Sequence, residues 1–139
     1  LCDAGADKDN AGFGGSTPLL VAAEEGHVEV VRLLCDAGAD KDKAAFVGMT
    51  PLFVAVSEGH VGVVQLLCDA GADKDNAGFG GSTPLLVAAE EGHVEVVRLL
   101  CDAGADKDKA AFVGMTPLFV AVSEGHVGVV QLLCDAGAD

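Results

Sequence analysis

Residues 17–40 read TPLLVAAEEGHVEVVRLLCDAGAD, and this stretch decides the fold. Thr17 followed by Pro18 predicts a helix start: the threonine oxygen caps free backbone N–H groups, and proline loses nothing at the first helical position. Leu19, Ala22 and Ala23 follow at helical spacing, and Gly26 ends the segment as a left-handed cap. His27 opens a second helix with Val28, Val31 and Leu34 on one face, and Gly38 stops it. Helices of roughly eight to ten residues do not persist alone in water, so each has to bury its apolar side against a neighbour. Ala22 and Ala23, with Ala55 further on, let such helices approach near the lower end of the roughly 8–10 Å interaxial range. The link from Ala39 to Met49 carries Gly, Asp and Ala and reads as an extended, turn-containing finger.

Outward from this stretch the pattern recurs. The heptapeptide LCDAGAD stands at Leu1, Leu34, Leu67, Leu100 and Leu133, always 33 residues apart. Residues 1–33 and 34–66 are cousins, 67–99 copy the first letter for letter, 100–132 copy the second, and 133–139 are a stub. A fixed period of this size marks stacked repeats, so residues 1–139 are expected to form one array. Identity over a 66-residue unit exceeds what selection for a fold maintains, because surface positions tolerate change within about ±0.5 kcal/mol. A very young duplication, a designed module and an averaged longer array all give this pattern.

Composition excludes several function classes. Of 139 residues 50% are hydrophobic and only 4% aromatic, without Trp or Tyr, and 22 acidic residues face 8 basic ones. A net charge of −14 argues against nucleic-acid phosphates and anionic membrane surfaces, which reward clustered Lys and Arg. Mean hydropathy is +0.41, yet no apolar run nears the roughly 18 residues of a spanning helix; PLFVAV stops at Ser57 and Glu58. The first residues carry no signal-peptide pattern.

Thr17-Pro18-Leu19, Gly26-His27, Val30-Val31, Leu33-Leu34 and Gly38-Ala39-Asp40, repeated every 33 residues, resemble ankyrin repeats over the whole chain. The resemblance implies an all-α fold, an ankyrin-repeat solenoid of stacked helix-turn-helix units with extended finger loops. It implies a non-catalytic protein-interaction scaffold without cofactors. Two departures stand out. The family's TPLH histidine, a structural staple near the helix start, is replaced by Leu20, Phe53, Leu86 and Phe119, so apolar packing has to substitute. Ala45 stands where a finger Asp is usual.

The polar ladders argue against chemistry. Cys2, Cys35, Cys68, Cys101 and Cys134 are one repeat apart, roughly 10 Å, whereas a disulfide needs Cα atoms within about 7 Å. Zinc gathers ligands around one point at about 2.0–2.3 Å, which a ladder along an axis does not offer. These cysteines read as small hydrophobes, and a thiol at every repeat suits a reducing, cytoplasmic setting. His27, His60, His93 and His126 fail the metal test in the same way; Glu29 beside His27 has Gly62 as its counterpart, so a structural helix-start role is expected. Asp7-Lys8-Asp9 begins like a calcium loop, but Ala11 and Pro18 occupy ligand positions. The Gly-rich run Gly12–Thr17 lacks the lysine of a phosphate loop.

The resemblance places the partner surface at the finger tips and first-helix ends: Phe13, Gly14, Ser16, Glu24 and Glu25; Phe46, Val47, Met49, Ser57 and Glu58; Phe79, Ser82, Glu90 and Glu91; Phe112, Val113, Met115, Ser123 and Glu124. An apolar row beside an acidic row favours a protein partner with apolar knobs flanked by Lys or Arg. The alternative is that the Phe rings tuck between neighbouring fingers, where roughly 10 Å spacing exceeds the 4.5–7 Å of a direct ring pair. Neither end carries a polar capping repeat, and Leu118, Val122, Val127, Val130 and Leu133 belong to the pattern that neighbours bury. Flanking repeats of a longer parent, or a second copy stacked head to tail, are expected to cover such a face.

Overall fold

The computed structural model describes residues 8–46 and 48–139, the side chain of Phe13 excepted. Among them are eight α-helices in four pairs: α1 Pro18–Glu25 with α2 Val28–Asp36, α3 Pro51–Glu58 with α4 Val61–Asp69, α5 Pro84–Glu91 with α6 Val94–Asp102, and α7 Pro117–Glu124 with α8 Val127–Asp135. The chain divides into two compact units, Leu1–Asp73 and Lys74–Asp139, each built from two such pairs.

The punctuation works as physics requires. The N–H of Leu20 donates to Thr17 Oγ1 at 3.2 Å, and Phe53, Leu86 and Phe119 do the same with Thr50, Thr83 and Thr116. At the other end Gly26 takes φ 77°, and the His27 N–H reaches back to the Ala22 carbonyl. Gly38 at φ 85° ends α2 in the same manner, with the Ala39 N–H on the Leu34 carbonyl. Two short 3-10 turns, Phe13–Gly15 and Phe79–Gly81, interrupt the fingers of the first and third repeats, a detail the finger pattern did not predict.

In the first unit α1 packs on α3 and α2 on α4, around Leu19, Ala23, Val31, Leu52, Ala55, Val63 and Val64. The second unit repeats this with α5 on α7 and α6 on α8, around Leu85, Ala89, Val96, Val97, Ala121 and Val129. Val31 is buried as expected, whereas Val28 and Leu34 are only half-buried. Buried Val63, Val96 and Val129 lie off the single face read from the sequence; α4 and α8 each pack against their own partner helix and against the preceding second helix of the same unit, α2 or α6. Leu20 and Leu86 are buried and do replace the family histidine by apolar packing; Phe119 is exposed, so at that position the substitution fails. Of the last repeat's apolar set, Leu133 is fully buried and Val130 half-buried, leaving Val122 and Val127 exposed beside Phe119.

A histidine ties the repeats of each unit together. His60 Nε2–H donates to the Glu24 carbonyl at 2.9 Å, and its ring lies 2.8 Å from the point a Cβ on Gly26 would occupy. His126 treats Glu90 and Gly92 alike. Gly125 shares the left-handed backbone, at φ 73°, but has nothing within 4 Å. Gly125→Ala is therefore expected to cost about 1 kcal/mol in urea unfolding, from backbone strain alone. Gly26→Ala adds overpacking and should cost about 2 kcal/mol or more. In a His60→Ala background the Gly26→Ala cost should fall to the Gly125→Ala value; an unchanged cost would show that the ring is not the obstacle.

Candidate functional site

In the first unit the fingers are closed by the backbone. The Gly12 N–H donates to the Ser16 carbonyl at 2.9 Å, and Ala45 to Met49 at 3.2 Å. Ala45, standing in the usual place of an Asp, is buried, so a methyl group fills the space and the backbone bond supplies the order. Aspartates link successive fingers: Asp9 Oδ1 accepts the Asp40 N–H, Asp40 Oδ1 accepts that of Asp42, and Asp42 Oδ1 accepts that of Asp73, all at 2.9–3.0 Å. Lys43 Nζ adds a 3.1 Å bond to the Asp9 carbonyl. On this frame Phe46, at φ 27°, lays one ring edge 3.3 Å from the Cβ position of Gly14 and remains 77% exposed. Ser16 and Met49 are half-buried; Glu24, Glu25, Ser57 and Glu58 are exposed. The His60–Glu24 bond holds the ends of α1 and α3 side by side. Val47 and the Phe13 side chain lie outside the described residues.

The second unit repeats the arrangement. Gly78 donates to the Ser82 carbonyl at 2.8 Å and Ala111 to Met115 at 3.0 Å. Asp75 Oδ1 accepts the Asp106 N–H, Asp108 Oδ1 that of Asp139, and Lys109 Nζ donates to the Asp75 carbonyl. The Phe112 N–H bonds the Gly80 carbonyl at 3.0 Å, which sets its ring against Gly81. Phe79 and Phe112 are nevertheless 82% and 85% exposed, and Val113, Met115, Glu90, Glu91, Ser123 and Glu124 are exposed with them. In each unit one finger ring, Phe46 or Phe112, lies against a glycine of the neighbouring finger by its edge and stays largely exposed.

Electrostatics sharpen this surface. Glu24, Glu25, Glu58, Glu90, Glu91 and Glu124 form no ion pair among the described residues. Both arginines are engaged elsewhere, Arg32 with Glu29 and Arg98 with Glu95, each at 3.5 Å on a second helix. Such exposed pairs contribute only about 0.3–0.5 kcal/mol each. No group of three or more His, Cys, Asp or Glu stands where it could hold a metal among the described residues, and Asp9 of the calcium-like stretch spends a carboxylate oxygen on Asp40. Cys35, Cys101 and Cys134 carry free thiols. No helix of the described residues is long and apolar enough to cross a membrane.

Sequence reasoning treated the histidines and finger aspartates one repeat at a time and missed what they reach. Their signal is the 33-residue recurrence itself: Asp9, Asp42, Asp75 and Asp108 occupy one register, and the bonds each accepts from the next finger span 31 residues.

Over residues 1–78 and again over 75–139 the sequence matches the family described as ankyrin repeats (3 copies). The chain belongs to the ankyrin-repeat family. No curated protein matches it. Ankyrin repeats are generally protein-interaction modules, and the helix pairs and fingers described above are their recurring unit.

The thiols of this ankyrin-repeat chain report on local packing. Burial pushes Cys35 and Cys101 above the ordinary thiol value; Lys41 and Lys107 oppose the shift, and Asp36 and Asp102 add to it. A raised value leaves less thiolate near pH 8, and thiolate is the reactive form. Iodoacetamide at that pH is expected to label exposed Cys134 before Cys35 and Cys101, with the difference vanishing in urea; peptide mass spectrometry reads the order. Equal rates in the folded chain would contradict this account of burial.

Proposed function

We propose that this ankyrin-repeat chain is a non-catalytic scaffold that presents its finger tips and first-helix ends to another protein. The observation that carries the reading is the pairing, in each unit, of solvent-facing finger side chains with unpaired carboxylates: Phe46 with Glu24, Glu25 and Glu58, and Phe79, Phe112 and Val113 with Glu90, Glu91 and Glu124. Apolar side chains gain by leaving water, at roughly 25 cal/mol per Å². Carboxylates without partners steer and select basic groups. The partner that fits has apolar knobs flanked by Lys or Arg. Affinity is modest, since hot spots favour Trp, Tyr and Arg, and the chain has no Trp or Tyr. A cysteine in every repeat supports a reducing compartment for this activity.

A second reading, self-association, is favoured by a separate observation: Phe119, Val122 and Val127 of the last helix pair stand exposed.

Peptides selected on the chain from a random display library should be rich in Lys or Arg beside apolar residues. The Phe46→Ala, Phe112→Ala double variant should weaken them about tenfold, equivalent to roughly 1.4 kcal/mol. Added salt should weaken them too. Selected peptides without basic residues, or bound equally by the variant, would end the scaffold reading.

A further inference from the structure

Residues 67–132 repeat 1–66 letter for letter, so Glu24, Phe46 and Glu58 return as Glu90, Phe112 and Glu124. Identical letters do not by themselves make two working sites; each copy also needs its own frame. In the unit Leu1–Asp73, His60 Nε2–H donates to the Glu24 carbonyl and Asp9 Oδ1 accepts the Asp40 N–H, both at 2.9 Å. In the unit Lys74–Asp139, His126 Nε2–H donates to the Glu90 carbonyl and Asp75 Oδ1 accepts the Asp106 N–H, again at 2.9 Å. Each of these bonds joins two residues of one unit. So does the packing of α1 on α3, and of α5 on α7, which carries the glutamate ends.

The rings are presented twice as well. Phe46 is 77% exposed and Phe112 85%, although the first rests against Gly14 and the second, its N–H on the Gly80 carbonyl, against Gly81. In each unit such a ring stands with glutamates that form no ion pair among the described residues, which suits a segment bringing an apolar side chain flanked by Lys or Arg. One such contact is weak, because the chain has no Trp or Tyr to anchor it. Weak sites in duplicate select by number. A ligand that carries the segment once gains little from the second site, whereas one that carries it twice gains about 10²–10⁴ in affinity without any new contact.

We infer that each unit is a complete site, that one chain therefore holds two copies of the same segment, and that the partner is a protein carrying this basic-and-apolar segment in tandem. This rests on the scaffold reading and adds its stoichiometry and the class of partner. The gain depends on the tether between the two segments and vanishes when the tether does not span the sites. A flexible Gly-Ser tether of about 20–60 residues has a root-mean-square reach of roughly 25–45 Å. Fully extended, about 60 residues reach roughly 200 Å, well past the span of two consecutive folded units.

Isothermal titration calorimetry tests this with the peptide selected on the chain, used singly and then as a tandem pair on Gly-Ser tethers of about 10 to 60 residues. The single peptide should saturate at two per wild-type chain. Phe46→Ala or Phe112→Ala should each leave one site at full affinity and weaken the other about tenfold. Both positions are exposed, so far-UV circular dichroism should stay unchanged. The tandem peptide should saturate at one per chain, bind at least about tenfold tighter than the single one at the best tether length, and lose about tenfold in either variant. Saturation by one single peptide per wild-type chain overturns the two-site inference while the scaffold reading stands. Two single peptides per chain, with no tandem gain at any tether length, overturn the tandem partner. A chain that selects no basic-and-apolar peptide overturns the scaffold reading and this inference together.

Discussion

A helix of eight or nine residues does not hold its hydrogen bonds against water, and every α-helix described in this chain has that length. What holds them is the apolar contact between successive pairs, α1 on α3 and α2 on α4, then α5 on α7 and α6 on α8. Leu19 and Leu52, like Leu85 in the second unit, are fully buried, and alanines at 23, 55, 89 and 121 let the helices come close enough to bury them. Polar groups drawn into this layer have to be satisfied. The buried threonines at 17, 50 and 83 each accept a backbone N–H, and no buried side-chain polar atom among the described residues lacks a partner.

On that layered base the acidic residues divide into two kinds, although composition counts them together. Asp9, Asp40, Asp42, Asp75, Asp106 and Asp108 accept backbone N–H groups from the finger loops and are part of the frame. Among the described residues the glutamates at the first-helix ends accept no such bond, and they face solvent. Bonds from carboxylate to amide are about twice as strong as neutral ones and order loops that Gly-rich sequence would leave loose. The −14 charge thus does two jobs: the aspartates set the fingers, and the glutamates give the finished surface its sign.

Local signals were legible and long-range ones were not. Thr-Pro starts, left-handed glycines and the 33-residue period lie on the page as letters, and the helix ends fall beside them. Burial of Val63, Val96 and Val129 escaped because a periodicity argument assigns one buried face, whereas a second helix here has two neighbours. The His60 bond spans 36 residues, so only its helix-start position could be read. Phe119 was expected to pack in place of the family histidine. The identical Phe53 is half-buried and Phe119 is not, a difference that no reading of the letters around them could reveal. For the candidate surface, residue positions came from the resemblance, while the exposure of Phe46 and Phe112 depends on a glycine one finger away against which each ring rests by its edge.

The two proposed contacts respond to charge in opposite directions. Binding of a basic partner at the glutamate row is attraction between unlike charges and weakens as salt rises. Self-association would bring together two bodies of charge −14, so an apolar gain at Phe119, Val122 and Val127 is opposed by repulsion that salt removes. A basic partner seated on the fingers neutralises part of that charge. Under these two proposals partner binding and stacking are positively coupled through the shared field, and by linkage each raises the affinity of the other by the same factor.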